Sequence, residues 1–221
     1  MRKIIMPKEI TYTPEMVLDA AITVVREKGF DSLTVRAVAK ALGASTQPVF
    51  KCYKSMDALC EKVLERIREI YNGYADKGFE MTPAGKGFGI QYVRFAIDEP
   101  NMFRALFMSK DESRLTIKDF MKNEGHYDKI VEIMSKNYNV PKEIAESIYQ
   151  YGCVYAHGLA SMCACGSCSF TEEELSEMMG ISMRGHIMAI RAGRDPREKI
   201  IPNENIEIKG SFDDFINGVN N

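Results

Sequence analysis

The sequence lacks the features of a membrane-spanning or secreted protein. No apolar run reaches the roughly 20 residues that a helix needs to cross a bilayer. The segment 1–7 is basic and has no sustained apolar stretch of the kind found in a secretory signal. We therefore expect a cytoplasmic protein that makes no contact with a membrane and whose six cysteines are reduced.

The common signatures of enzymes are also missing. The sequence has no glycine-rich phosphate loop after a strand pattern, no Ser-His-Asp order with supporting context, and no metal-hydrolase spacing. The three histidines, His126, His157 and His186, are not spaced as metal ligands. We therefore expect neither enzymatic activity nor a cofactor.

Strand-type alternation is scarce before the last twenty residues, and apolar residues instead recur at helical spacing. Hydrophobic residues make up 45% of the 221 residues and charged residues 27%, a balance that allows a substantial buried core. We therefore predict an all-α protein. The tail after residue 193 contains two prolines and no helical pattern, which allows either a short strand pair or partial disorder.

Polar caps and helix-ending residues divide the first 72 residues into four helices. Side chains that accept hydrogen bonds from free amides precede each helical run, and the predicted N-caps are Thr13, Thr34, Ser45 and Ser55. Pro14 occupies the first helical position of the first helix. The predicted helix ends are Gly29, Gly43 and Asn72.

The rest of the chain reads as a larger helical body. The many glycines of residues 73–89 predict a hinge or loop. Helices are predicted up to about Asp98, from Pro100 to about 108, and over 113–123, 126–138 and 141–165. A capping-box pattern at Thr171 and Glu174 predicts the start of the last long helix.

The first part of the chain is typical of a helix-turn-helix, because two short helices are joined by a tight glycine-containing turn and preceded by a longer helix. Residues 1–54 carry nine Lys/Arg against five Asp/Glu, a net charge of +4, whereas the remainder carries −6. A basic N-terminal part on an acidic body is compatible with contact to phosphates.

Residues 14–60 carry a family resemblance. Pro14, the pair Ala20-Ala21 and the segment 28–59, KGFDSLTVRAVAKALGASTQPVFKCYKSMDAL, together resemble the TetR family of bacterial regulators. In the second half, Ala156-His157-Gly158-Leu159-Ala160 looks like the Trp-His-Gly class of TetR C-terminal domains, with Tyr155 near the usual Trp position.

The resemblance implies an all-α homodimer with a three-helix DNA-binding head and a helical body that senses an effector. We place the head at 1–56, with its helix-turn-helix at about 34–52, the body at 57–193 and a tail at 194–221. The last two long helices would pair with their partners at the dimer interface. The expected partner is double-stranded operator DNA, and the expected function is that of a repressor released by a small molecule.

The third helix would enter the major groove of DNA. The residues predicted to contact DNA are Thr34, Arg36, Ser45, Thr46, Gln47, Lys51, Tyr53 and Lys54. The family usually has Tyr where Phe50 stands and Lys where Met56 stands, and both normally contact phosphate. Since Phe50 lacks a hydroxyl, we expect its side chain to face the core.

Aromatic and methionine side chains of the body are predicted to surround a small, largely apolar effector. The predicted effector contacts are Phe95, Met102, Phe103, Phe107, Met121, Tyr127, Met134, Tyr151 and Tyr155.

A cysteine cluster leaves an alternative open. Cys163, Cys165 and Cys168 have the chemistry of a soft-metal site, with His157 or a Cys of another subunit as the fourth ligand, or of a redox switch. We expect these cysteines to be structural and the chain to bind no metal. The alternatives are a thiol- or metal-responsive protein, a helical enzyme using 163–168, and a TetR-like dimer that no longer binds DNA.

Overall fold

The structure, a computed structural model, describes residues 11–108 and 115–191, and every regular element in these ranges is helical. The all-α prediction is therefore confirmed for this part of the chain. The chain divides into two units, Met1–Ile187 and Met188–Asn221. The sites described below belong to the first unit. The tail predicted at 194–221 lies outside the described residues. No helix within those residues has both the length and the apolar character needed to span a membrane.

The first unit opens with three helices and a short 3-10 turn at Phe30–Ser32. The helices are α1 (Pro14–Lys28), α2 (Val35–Leu42) and α3 (Gln47–Cys52). The hydroxyl of Thr13 accepts a hydrogen bond from the Met16 amide (3.2 Å), and that of Thr34 accepts one from the Ala37 amide (3.2 Å). These bonds satisfy amides that would otherwise be free at the helix starts, as predicted.

The predicted cap of α3 is wrong by one residue. Thr46, not Ser45, precedes the helix, and its side chain makes no capping hydrogen bond. Thr46 has dihedral angles of φ −72° and ψ −16°, and the helix begins at Gln47, one residue later than predicted. The turn before it is set by Gly43, whose φ of 68° lies in the left-handed region.

Helix α4 (Met56–Glu80) continues well past its predicted end at Asn72, and α5 begins at Ala84 and ends at Asp98. Ser55 caps α4 as predicted, by accepting a hydrogen bond from the Ala58 amide (3.1 Å). The predicted hinge at 73–89 is therefore wrong: only residues 81–83 connect the two helices.

The glycines of this region allow two helices to approach closely. A Cβ atom on Gly78 would lie 2.7 Å from the Cα atom of Phe88 and 2.9 Å from the carbonyl carbon of Gly87. Real side chains do not tolerate such distances to backbone, so Gly78 is required by the α4–α5 contact. A Cβ atom on Gly73, in contrast, would have no neighbour within 4 Å, so the α4–α5 contact does not require a glycine there.

The remaining helices follow the predicted order. They are α6 (Pro100–Phe107), α7 (Ile117–Asn123), α8 (Tyr127–Tyr138), α9 (Lys142–Ala164) and α10 (Glu172–Arg191). The predicted capping box is present, because Thr171 Oγ1 accepts from the Glu174 amide (3.2 Å) and Glu174 Oε2 accepts from the Thr171 amide (2.8 Å).

Helix α4 reaches the centre of the body. Tyr71 on this helix is fully buried, and its ring contacts those of Phe95 (5.5 Å between centroids) and Phe107 (5.1 Å). Because α4 starts at the capped Ser55 beside α3, one continuous helix extends from the first three helices into the aromatic core of the body.

Candidate nucleic-acid interface and body cavity

Helices α2 and α3 form a compact pair against α1. Val38 and Ala39 of α2 and Val49 of α3 are buried, and so is the α1 face that includes Val17 and Val25. This arrangement of two short helices joined by a glycine turn on a longer helix is a helix-turn-helix. Helices α1 to α3 are called the head below, and α4 to α10 the body.

The outer face of α3 carries Gln47, Phe50 and Lys51, all exposed. Residues three and four apart share one face of a helix, so these side chains lie together. The expectation that Phe50 faces the core is wrong, because its side chain is 54% exposed. Val49 is only 2% exposed and occupies the core direction, and adjacent residues on a helix point about 100° apart.

Other residues predicted to contact DNA surround this face. Arg36, Ser45 and Lys54 are exposed, and Thr46 is half-buried. Thr34 is exposed at the start of α2, where its hydroxyl also caps the helix.

Tyr53 has a structural contact in addition to its predicted role. Its hydroxyl donates a hydrogen bond to the Pro14 carbonyl oxygen (3.1 Å), which ties the end of α3 to the start of α1. Partial burial raises the pKa of Tyr53 above its ordinary value. The hydroxyl is thus held within the head, and a contact between Tyr53 and phosphate stays a prediction.

Ion pairs and hydrogen bonds join α1 of the head to the body. The Arg26 guanidinium donates from Nε to both carboxylate oxygens of Glu99 (3.0 and 2.9 Å), and Asn101 Nδ2 donates to the Arg26 carbonyl oxygen (2.8 Å). On α4, Arg66 donates to Glu15 (2.7 Å). These contacts position α1 against α4 and α6.

The body contains a cavity lined by α5, α8, α9, α10 and the residue after α7. Its free interior is about 30 Å³, room for one or two waters. The lining is mainly aromatic, glycine and methionine, and its residues are Gly85, Lys86, Phe88, Gly89, Tyr92, Glu124, Met134, Tyr149, Gly152, Cys153, Tyr155, Ala156, Met179, Ser182 and Met183.

A buried carboxylate lies at this cavity. Glu124 is 3% exposed and accepts hydrogen bonds from the hydroxyls of Tyr71 (2.7 Å to Oε1) and Tyr149 (2.6 Å to Oε2). Burial raises the pKa of Glu124, while the hydrogen bonds from Tyr149 and Tyr71 act in the opposite direction. The carboxylate thus joins α4 and α9 at the wall of the cavity.

The predicted effector contacts fall into separate places. Met134 and Tyr155 line the cavity. Phe95, Met102 and Phe103 are fully buried in the aromatic core, with Phe107 beside them. Tyr151 lies elsewhere, 39% exposed and stacked on His186 (4.5 Å between ring centroids). Met121 and Tyr127 are buried, and the Tyr127 ring lies 6.1 Å from that of Tyr149.

Sequence reasoning missed Glu124, Tyr149, Cys153, Met179 and Met183 as cavity residues. An isolated glutamate beside Gly125 reads as a surface residue, because glutamate is almost never fully buried unless paired. The two methionines lie on α10, where helical spacing predicts core packing as readily as a cavity wall.

The cysteine cluster does not form a metal site among the described residues. Cys163 is buried, Cys168 half-buried and Cys165 exposed. His157 makes a hydrogen bond through Nδ1 to the Tyr92 hydroxyl (2.9 Å). Within 11–108 and 115–191, no group of three or more His, Cys, Asp or Glu side chains is arranged to hold a metal ion.

Comparison with known proteins identifies the head. Residues 17–63 match the family described as bacterial regulatory proteins, tetR family. No curated protein sequence matches the chain.

Several solved structures resemble the whole fold. A TetR-like transcriptional regulator from Rhodococcus sp. RHA1 has a TM-score of 0.57 at 15% identity, over 86% of this chain and 100% of that chain. A putative transcriptional regulator from Pseudomonas aeruginosa PAO1 has a TM-score of 0.57 at 17% identity, over 82% and 93%. A putative TetR family regulator from Vibrio parahaemolyticus has a TM-score of 0.54 at 14% identity, over 77% and 96%.

At these identities the structural matches establish the fold, and the family match establishes the head. Residues 17–63 are therefore similar to the N-terminal domain of the TetR family, and the described chain has a fold like that of TetR-like transcriptional regulators.

Proposed function

We propose that this protein is a DNA-binding transcriptional regulator that acts in the cytoplasm as a repressor and is released from its operator by a small molecule. The observation that carries the proposal is the outer face of α3, where Gln47, Phe50 and Lys51 are exposed side by side on a TetR family head. The proposed regulator has no enzymatic activity.

The chemistry of this face is appropriate for reading base edges. The Gln47 amide can donate and accept at once, which matches adenine in the major groove. Lys51 can reach guanine or phosphate, and the exposed ring of Phe50 can contact a thymine methyl group. Thr34 and Arg36 lie at the start of α2, where the helix N-terminus favours phosphate.

Ser45, Thr46, Tyr53 and Lys54 complete the proposed DNA contacts. Ser45 and Lys54 are exposed near the two ends of α3, where they can reach the phosphates on either side of the groove. Phosphate contacts of this kind fix the register of the head on DNA but do not select its sequence.

We infer a homodimer formed through the last two long helices. Val154 and Met162 on α9 and Ile181 on α10 are large apolar side chains exposed on the surface of one chain. A second copy would bury them, and a two-fold dimer would present two heads to successive major grooves about 34–36 Å apart. The resemblance of residues 155–160 to the Trp-His-Gly class stays a prediction.

The body cavity is the proposed effector site. Its wall residue Glu124 accepts a hydrogen bond from Tyr71 on α4, and α4 continues directly to the head. An occupant that moves Glu124 would therefore change the packing of Tyr71 and the tilt of α4. Of the predicted effector contacts, Phe95 and Phe107 contact Tyr71 directly, and Phe103 packs on Phe95, so these rings would respond to this motion.

A selection from random double-stranded DNA by the full-length protein tests the proposal. We expect a recovered site with two related half-sites whose centres are one helical turn apart. Light scattering of the free protein should give about twice the 25.0 kDa chain mass. Recovery of no preferred sequence would contradict the proposal and favour a TetR-like protein without DNA binding. A 25.0 kDa monomer would contradict the dimer alone.

A further inference from the structure

The charges around the body cavity indicate what it binds. Two lining residues are charged, Glu124 and Lys86. Glu124 is almost fully buried, while the Lys86 ammonium lies near Gly180 of α10, at 3.5 Å from the position a Cβ would take there. Lys86 also borders an open groove with Glu173 and Glu177. The negative charge is thus at the interior wall, and the positive charge is next to α10.

Among residues 11–108 and 115–191, no cationic side chain is in contact with Glu124. Both of its hydrogen-bond donors are neutral phenols, and no salt bridge between described residues includes it. The nearby guanidinium of Arg68 donates instead to the Asn123 carbonyl oxygen (3.2 Å). An ionised carboxylate can accept about four hydrogen bonds, so two phenols leave acceptor capacity on a charge that is costly to bury alone.

Methionine side chains occupy the space beside the cavity. Met134 Cε lies 3.2 Å from where a Cβ of Gly85 would be, and Met179 Cε lies 2.6 Å from that of Gly89. Methionine is unbranched and adapts its shape readily, so these side chains can leave the space that the glycines provide. A ligand larger than the 30 Å³ interior can therefore enter by displacing methionines of α8 and α10.

We propose that this cavity binds a small protonated amine on an apolar body, with the ammonium group against the Glu124 carboxylate. The ammonium supplies the cationic partner that Glu124 lacks, and the rings of Phe88, Tyr92 and Tyr149 provide an aromatic wall for it and for the apolar body. The inference rests on the proposed function only in treating the cavity as the effector site.

Calorimetry on the full-length protein with three probes that share one phenylethyl group tests this: 2-phenylethylamine, 2-phenylethanol and 3-phenylpropionate at pH 7. We expect the amine to bind at least about tenfold more tightly than the alcohol, since a charge-assisted hydrogen bond is stronger than a neutral one by roughly that factor. The carboxylate probe should bind weakest, because Glu124 repels it.

Two variants and a control locate the charge. Glu124→Gln should reduce the preference for the amine over the alcohol to about threefold or less, since the side chain keeps its shape but loses its charge. Glu132→Gln, which removes an exposed carboxylate on α8, should leave the preference unchanged. If Glu124→Gln does not fold, Tyr71→Phe replaces it. This variant should bind the amine more tightly than wild type because it frees an acceptor site on Glu124, and unchanged or weaker binding would contradict the inference.

Three results would overturn the inference: an alcohol that binds as tightly as the amine, a carboxylate probe that binds best, or no binding of the amine. A mobility-shift assay on the DNA selected above separates the two proposals. An amine that binds a protein without DNA affinity supports the ligand class and contradicts the regulator. A protein that binds DNA but not the amine supports the regulator and contradicts the ligand class.

Discussion

The head and the body bury different kinds of side chain. The buried residues of the head are apolar, such as Val17, Val38 and Val49, and its polar groups face outward or cap helices. The body buries polar groups as well: the Glu124 carboxylate and the hydroxyls of Tyr71 and Tyr149 form one hydrogen-bonded cluster. The head is thus built to present polar side chains, and the body to hold them inside.

This difference indicates where a signal can pass between the head and the body. Buried polar groups must keep their hydrogen bonds, so a change at one member of the cluster is felt by the others. Tyr71 belongs to this cluster and also to α4, which begins beside the head at Ser55.

The α4–α5 contact should be the most sensitive position. Gly78→Leu is expected to lower the free energy of unfolding by about 3 kcal/mol, because its side chain would enter the backbone of α5. Gly73→Leu on the same helix should instead raise stability by up to about 1 kcal/mol, since leucine is the better helix former and the site is open. Urea unfolding of both variants measures the difference. Equal effects of the two substitutions would mean that residues 73–89 are a flexible hinge after all.

Loss of a phenol from the buried cluster should come next. Tyr71→Phe is expected to cost about 2 kcal/mol, the range for a buried hydrogen bond to a charged group. Tyr74→Phe, three residues along the same helix, removes an exposed hydrogen bond to Asp98 (3.2 Å) and should cost within about 0.5 kcal/mol. If Tyr71→Phe is as mild as Tyr74→Phe in chemical denaturation, Glu124 does not depend on this bond.

Helix caps at α3 and at the start of α4 give a smaller effect. Ser55→Ala should cost about 1 kcal/mol, because the Ala58 amide loses its acceptor. Ser45→Ala should change stability by no more than about 0.5 kcal/mol, since α3 has no side-chain cap. A comparable loss in thermal unfolding for both serines would restore Ser45 as the cap.

Much of the fold could be predicted because its signals are local. The caps at Thr13, Thr34 and Ser55 depend on residues within one helical turn, and the sequence shows them directly. The length of α4 could not be predicted, because Gly78 is required by a contact with Phe88 ten residues away, and a glycine in isolation favours a loop.

The two candidate sites also differ in how far local sequence predicts them. The outward direction of Gln47 and Lys51 follows from helical spacing alone, although Phe50 did not follow the expectation that a large apolar residue is buried. The burial of Glu124 depends on Tyr71 and Tyr149 from two distant helices, and no short pattern in the sequence reveals it.

Acid should weaken the body through the half-buried His157. Burial lowers the pKa of His157, so the folded protein favours the neutral ring. As the pH falls through the ordinary value of 6.5, the unfolded chain takes up a proton first, and stability is lost until the folded pKa is reached. The raised pKa of Glu124 has the opposite effect on stability, because the folded protein takes up this proton before the unfolded chain does as the pH falls.

A comparison of wild type and His157→Asn isolates this effect, since Glu124 is common to both. Urea unfolding at pH 7.5 and 5.5 should show a smaller loss of stability on acidification for His157→Asn than for wild type. An identical or larger loss in the variant would show that His157 does not favour the neutral form in the folded state.

The most direct test of the central claim is the affinity of the head for its selected DNA, measured by fluorescence anisotropy at fixed salt. Gln47→Ala and Lys51→Ala should each weaken specific binding by about 10- to 100-fold, the usual loss for one base contact. Lys136→Ala, an exposed lysine on α8, should bind as wild type does. Unchanged affinity in both α3 variants, with circular dichroism showing intact folds, would contradict the account that this face of α3 reads DNA.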